Sequence, residues 1–203
     1  MRLSYVGGSE REGAESWLRR VGWKRSEVAK QIAEENDPEE TGFVADIGGG
    51  HGREALWLDG KHFQSILIDP NRYSLEYAKE RVKNKKLSVH LINAVLPYLP
   101  MRSGIIGVVD LYWTLHQIRD EDKLNSLKEI HRILRSKGSL YSTSFGHWVD
   151  HTMPSSIFPI AEKQTFLKLH VSADFRPYRK IEERSDRTMP FEKYWYGKFQ
   201  KEH

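Results

Sequence analysis

Cysteine is absent from the 203 residues of this chain. Its absence excludes disulfides, thiolate metal sites and cysteine nucleophiles together. Long apolar runs are missing too. The most apolar stretches, such as "GIIGVVDLYW" (104–113), fall far short of the ~20 residues that a bilayer-spanning helix needs. The opening "MRLSYVGGSEREG" turns polar at once and carries no basic-then-apolar signal segment. No internal repeat or low-complexity tract interrupts the chain. Charge of one sign is scarce as well: 32 Lys and Arg face 28 Asp and Glu for a net +4, and the signs alternate as they do on solvated faces. The expectation is one domain spanning residues 1–203, cytoplasmic, with no membrane partner.

What the chain has in excess is glycine at one place. "ADIGGGHGRE" (45–54) sets four glycines into the five positions 48–52. Each raises the entropy cost of ordering the backbone, so such a cluster marks a tight turn or a close approach to a ligand. The flanks read as a short strand, "GFVAD", and as the first turns of a helix, "REALWL". A strand, a glycine turn and a helix bring backbone N–H groups and a positive dipole end to one spot at the carboxyl ends of the strands. In open α/β sheets that crevice binds nucleotide-like ligands. The pattern is D-x-G-x-G-x-G, from Asp46 through Gly48, Gly50 and Gly52. It is not the dinucleotide G-x-G-x-x-G, whose last glycine would fall on Arg53.

The rest of the chain alternates. "FVADI", "QSILID", "LSVHLINA", "GIIGVVDLYW" and "SLYSTSF" read as strands. Between them, "SLEYAKERVKN" and "EDKLNSLKEIHRILRSKG" read as helices, the latter stopping at Lys137–Gly138. This order predicts a parallel sheet with helices on both faces. In the tail, "AEKQTFLKLHVSADF" reads as a helix, and "RPYRKIEER" and "EKYWYGKFQ" as two successive strands that close the sheet antiparallel. Ahead of Phe43, "EGAESWLRRVGWKRSEVAKQIAEEND" reads as two short helices broken near Gly22. They form a helical cover over residues 1–42, on a core of residues 43–203.

A ribose-bearing ligand needs a carboxylate at the end of the second strand, and "SILIDPN" supplies Asp69. With that residue the chain resembles the class I S-adenosylmethionine-dependent methyltransferases, in particular the small branch called methyltransferase type 11. Besides the glycine loop, the resemblance is carried by "DPNRYSLEYAKERV", "INAVLPYLP" and "LYWTLHQIRDEDKLNSLKEIHRILRSKGSLYSTSF", and it runs from about Phe43 to Phe145. It implies a Rossmann-like doubly wound, mostly parallel seven-stranded sheet with a C-terminal antiparallel strand. It also implies S-adenosyl-L-methionine as cofactor. By the same resemblance Gly48, Gly49, Gly50 and Gly52 cradle the methionine part, and Asp46 orients the loop or the cofactor's amine. Asp69 binds the ribose diol and Pro70 packs on the adenine. Asn93 and Ala94 hold the adenine edge, and Tyr112 sits near the methyl donor. Two residues depart from the family pattern. Asn93 stands where Asp is usual, and Gly107 stands where an acid is frequent, with Asp110 three residues later.

Transfer of an activated methyl group needs alignment more than acid–base chemistry, so no catalytic dyad is expected. Tyr112 and His116 are the candidate catalytic residues. His147 and His151 bracket Asp150 in "HWVDHTMP", but no third ligand is evident and no metal is expected. The aromatics Trp113, Tyr141, Phe145, Trp148 and Phe158 lie at or after strand ends, where an acceptor would enter. The leading acceptor is a small molecule. RNA or protein is the alternative, because "RPYRKIEERSDR" and "KYWYGKFQK" mix basic and aromatic residues. A non-catalytic S-adenosylmethionine-binding module is the third reading. The sequence leaves the oligomeric state open.

Overall fold

The structure, a computed structural model, describes residues 11–12, 15, 18–19, 25–147, 163–184 and 193–202. The apolar runs form parallel strands β1 (Phe43–Ile47), β2 (Gln64–Ile68), β3 (His90–Ile92), β4 (Ile106–Leu111) and β5 (Leu134–His147). Three short antiparallel strands complete the sheet: β6 (Arg176–Pro177), β7 (Glu182–Arg184) and β8 (Lys193–Gln200). The order is β3-β2-β1-β4-β5-β8-β6, with β7 also paired to β8. Because β5 occupies one edge of β8, β6 and β7 share the other, as "RPYRKIEER" broken in its middle. The sheet thus has eight strands in seven positions, mostly parallel and doubly wound.

Alternation along β1 divides the core. Ala45 and Ile47 face one layer, formed with helices α5 (Asp120–Ile133) and α6 (Lys163–Val171). Val44 faces the other, where α1 (Glu27–Glu35), α3 (Arg53–Asp59) and α4 (Arg72–Lys85) pack. The short α2 (Pro38–Thr41) leads into β1. No helix among the described residues is long and apolar enough to cross a membrane.

The N-terminal region holds more than a cover. Ser26 caps α1 by accepting the Ala29 N–H at 3.1 Å, and Val28, Ala29 and Ile32 are fully buried against the sheet. At its other end Glu35 accepts from Lys198 Nζ (2.8 Å), the Tyr141 hydroxyl (3.0 Å) and Gln31 Nε2 (2.7 Å), and pairs with Arg179 at 3.0 Å. Helix α1 is therefore one layer of the core. Of the apolar residues Trp17, Leu18, Val21 and Trp23 in the first of the two helices expected there, only Leu18 is among the described residues.

One expectation, about a helix end, is corrected. Helix α5 stops at Ile133, not at Lys137–Gly138, because Leu134 turns extended to pair with Ile106. Lys201 Nζ takes the carbonyls of His131 (3.0 Å) and Leu134 (2.9 Å), capping the helix from the far end of the chain. Residues 135–138 form a bulge, with Lys137 at φ 61°, before pairing resumes at Ser139–Val108. On β4, Gly107 lies where the register with β1 shifts, and a Cβ there would overlap the Thr41 carbonyl. An acid has no room at that position. Asp110 instead stands in register beside Asp46.

Candidate functional site

The glycine loop is folded by its own packing. Gly48 and Gly52 hold φ of 73° and 75°, which a side chain rarely adopts. A Cβ at Gly48 would strike the Thr114 side chain, and one at Gly52 would strike Leu56 and Leu67. The loop is tied down by Gly48 N–H to Ile68 O (2.7 Å), while Thr114 Oγ1 donates to Ile47 O (2.8 Å). Below it, Asp46 Oδ2 accepts the Ala55 N–H (3.1 Å), one of the unpaired donors at the start of α3. Gly49 covers that carboxylate so closely that a Cβ would collide with it.

At the end of β2, Asp69 is almost fully buried and reaches across to the loop. Its Oδ2 accepts Gly50 N–H (2.8 Å) and its Oδ1 accepts Asn71 N–H (2.7 Å). Burial raises its pKa to about 6, against the lowering by those two backbone bonds. Each carboxylate oxygen keeps a further lone pair for a ligand hydroxyl. Asn93, just past β3, donates from Nδ2 to the Asp69 and Pro70 carbonyls, at 2.9 Å each. A carboxylate could not do this, which accounts for the amide at that position. Its Oδ1 is left as an acceptor facing outward, and Ala94 beside it is half-buried against the core. Asp46, Gly48, Gly49, Gly50, Gly52, Asp69, Pro70, Asn93 and Ala94 thus meet at the ends of β1, β2 and β3.

Tyr112 and Trp113 leave β4 on the adjoining side. Tyr112 lies under the Arg53 guanidinium (5.5 Å to the ring centroid), and Trp113 holds the left-handed backbone at φ 57°. That is a strained conformation for a bulky residue, and it clusters at functional turns. It is locked by the Trp113 N–H to Thr143 Oγ1 (2.9 Å) and by Gln117 Nε2 to the Trp113 carbonyl (2.7 Å). Tyr194 of β8 closes the group, 5.0 Å from Trp113 and 6.4 Å from Tyr112 between ring centroids. His116 is buried against Trp113, and burial together with Lys123 lowers its pKa to about 3. Such a ring stays neutral and is a poor proton acceptor at neutral pH. Tyr141 does not join the edge, since it is fully buried beneath α1. Trp148, Phe158, Asp150 and His151 lie outside the described residues, as do the side chains of Phe145 and His147. Among the described residues no group of His, Asp and Glu could hold a metal ion.

Sequence reasoning missed the charged floor beneath the loop. Arg53, partly buried, pairs with the buried Glu54 at 2.7 Å, and Glu54 also accepts the Ser26 N–H (3.2 Å). Burial, with Glu54 and Asp69 nearby, holds the Asp46 carboxyl well above the usual carboxylate range. The same holds for Asp110 through burial, Asp46 and Glu54. Neighbouring register on adjacent strands brings these acids together, and a linear pattern does not reveal it.

The fit to S-adenosylmethionine rests on these features: a glycine cradle that no Cβ could share, a buried acid at the second strand end, and an outward acceptor at Asn93. Comparison with known proteins agrees. The family model described as "Methyltransferase domain" matches residues 45–142. No curated protein matches the sequence. A SAM-dependent methyltransferase from Aquifex aeolicus is similar over 96% of this chain and 100% of its own, with TM-score 0.71 and 15% identity. The 1,6-didemethyltoxoflavin-N1-methyltransferase of Burkholderia thailandensis, with bound 1,6-didemethyltoxoflavin and S-adenosylhomocysteine, is similar over 96% of this chain and 84% of its own, with TM-score 0.75 and 15% identity. A phosphoethanolamine N-methyltransferase of Haemonchus contortus, bound to phosphomonomethylethanolamine and S-adenosylhomocysteine, is similar over 95% of this chain and 58% of its own, with TM-score 0.73 and 14% identity. At such identities the structural likeness speaks for the fold, and the matched domain with its glycine loop speaks for the chemistry. Residues 45–142 thus carry a methyltransferase domain, set in a chain whose fold is that of S-adenosylmethionine-dependent methyltransferases.

Proposed function

We propose that the acceptor of the methyl group is a small molecule, taken up at the edge formed by Tyr112, Trp113 and Tyr194. The observation that carries this reading is the state of the basic segment that would otherwise suggest RNA. Arg176 pairs with Glu202, Arg179 with Glu35, Arg184 with Glu182, and Lys198 with Glu35. Four cations held by three acids of the same chain offer less to a phosphate backbone, whose binding depends on unpaired Lys and Arg. The aromatic edge, by contrast, has the composition of a small-ligand site. The two relatives named above as bound to toxoflavin and phosphoethanolamine derivatives act on small molecules, which supports the same reading.

Bound S-adenosylmethionine supplies a methyl group already activated on a sulfonium. In this reading Asp69 accepts both ribose hydroxyls, while Asn93 Oδ1 and the Ala94 N–H take the adenine edge. Pro70 packs on its face. The loop of Gly48, Gly49, Gly50 and Gly52 lies along the methionine part, with Asp46 holding loop and helix start together. Tyr112, fixed by Arg53 and Tyr194, borders the methyl group and excludes water. No residue needs to carry a proton unless the acceptor arrives protonated. An assay of methyl transfer against a metabolite panel, run beside bulk RNA and a protein lysate, tests this. Transfer to RNA or protein alone would overturn it, and binding of cofactor without any transfer would favour the non-catalytic module.

A further inference from the structure

Asp110 is fully buried on β4, and neither of its carboxylate oxygens has a hydrogen-bond partner among the described residues. Its register neighbours are Asp46 on β1 and Tyr141 on β5, so all three share the face of the sheet covered by α1 and α3. From α3, Glu54 and Arg53 act on it, and the buried Tyr196 hydroxyl of β8 feels its charge. The Tyr112 N–H favours its ionised form without completing a hydrogen bond. Three buried acids, Asp46, Glu54 and Asp110, therefore stand around a single guanidinium. Arg53 is already committed to Glu54 at 2.7 Å. Burial and mutual repulsion hold both the Asp46 and the Asp110 carboxyl well above the usual carboxylate range, which favours a proton shared by the pair.

This pair lies directly under the cofactor loop, since Gly49 rests on the Asp46 carboxylate. The donor and the spent form of the cofactor differ by one positive charge, on the sulfonium. A cation brought to the loop favours the ionised form of the acids below it, and a neutral thioether does not. We propose that Asp110 makes this floor a charge sensor: binding of S-adenosylmethionine expels a proton from the Asp46–Asp110 pair, whereas binding of S-adenosylhomocysteine leaves it in place. The inference rests on the cofactor site as read above. Its consequence is a donor held in preference to the product, which eases product release. An acid at this point of β4 is thus a specificity-determining residue, acting through charge and not through contact.

The test is calorimetric titration of the full chain with each ligand, at pH 7.5, in two buffers of different ionisation enthalpy. The wild type is expected to release about one proton more with S-adenosylmethionine than with S-adenosylhomocysteine. Asp69 contributes little to this difference, because with a pKa of about 6 it is already ionised at pH 7.5. In Asp110→Asn the difference should vanish, and the ratio of the two affinities should fall roughly tenfold against the donor. Equal proton release with the two ligands in the wild type would overturn the proposal without recourse to any variant. Unequal release that persists in a folded Asp110→Asn protein would overturn the assignment to Asp110. Failure of both ligands to bind would instead overturn the cofactor site itself, and the sensor with it.

Discussion

The side-chain amide of Asn93 donates to the carbonyl oxygens of Asp69 and Pro70, at 2.9 Å each. One side chain thereby fixes the turn that presents the ribose acid. Replacing it with the family's more frequent Asp should weaken cofactor binding, because a carboxylate would face two carbonyl oxygens with nothing to donate. The expected loss is about 1–3 kcal/mol, read by calorimetry with S-adenosylhomocysteine. Unchanged or tighter binding in Asn93→Asp would show that the amide does not hold the turn.

Asp69 itself should carry more. Asp69→Ala removes the ribose acceptor and also frees the Gly50 and Asn71 N–H groups, so affinity should fall by roughly 1.5–3 kcal/mol while the fold survives. Its carboxyl titrates near pH 6, so the wild type should also bind less well as pH drops through that value, since only the ionised form accepts from both hydroxyls. Flat affinity between pH 7.5 and pH 5 would contradict the role.

Helix α1 is part of the core, and truncation should say so. Removing residues 1–24 should leave a cooperatively folded protein, whereas removal through residue 36 takes away Val28, Ala29, Ile32 and Glu35 and should abolish cooperative unfolding. The point substitution Ile32→Ala should cost about 2–5 kcal/mol in chemical denaturation. A loss below 1 kcal/mol would return the helix to the status of a loose cover.

His170 gives the stability a pH dependence of known sign. It is fully buried and stacked on Phe199 at 4.0 Å, and burial lowers its pKa to about 4. The unfolded chain takes up its proton near pH 6.5 and the folded chain only near pH 4. Stability from this group is therefore full above pH 6.5 and is lost as pH falls between those values. Between pH 7 and pH 4 the wild type should lose about 2–3 kcal/mol more than His170→Phe. Parallel losses would place the ring in contact with solvent.

Much of this was legible in the sequence because it is local. The glycine loop, Asp69 and the strand–helix alternation each sit within a few consecutive residues, and the structure gathers Asp46, Gly50, Asp69 and Asn93 as their order implies. What escaped is set by contacts distant in the chain. The end of α5 is decided by Lys201 on its carbonyls, and the glycine at 107 by the Thr41 backbone. The burial of Tyr141 depends on Glu35, more than a hundred residues away. His116 looked like a base by type and position, and only its burial beside Lys123 and Trp113 shows a ring kept neutral.

The central claim is that the loop of residues 48–52, with Asp69 and Asn93, binds S-adenosylmethionine for methyl transfer. Calorimetry of the purified chain with S-adenosylhomocysteine and, separately, with NADH tests it most directly. The account predicts low-micromolar or tighter binding of S-adenosylhomocysteine, lost in Asp69→Ala, and no response to NADH. Tight NADH binding with no response to S-adenosylhomocysteine would contradict it.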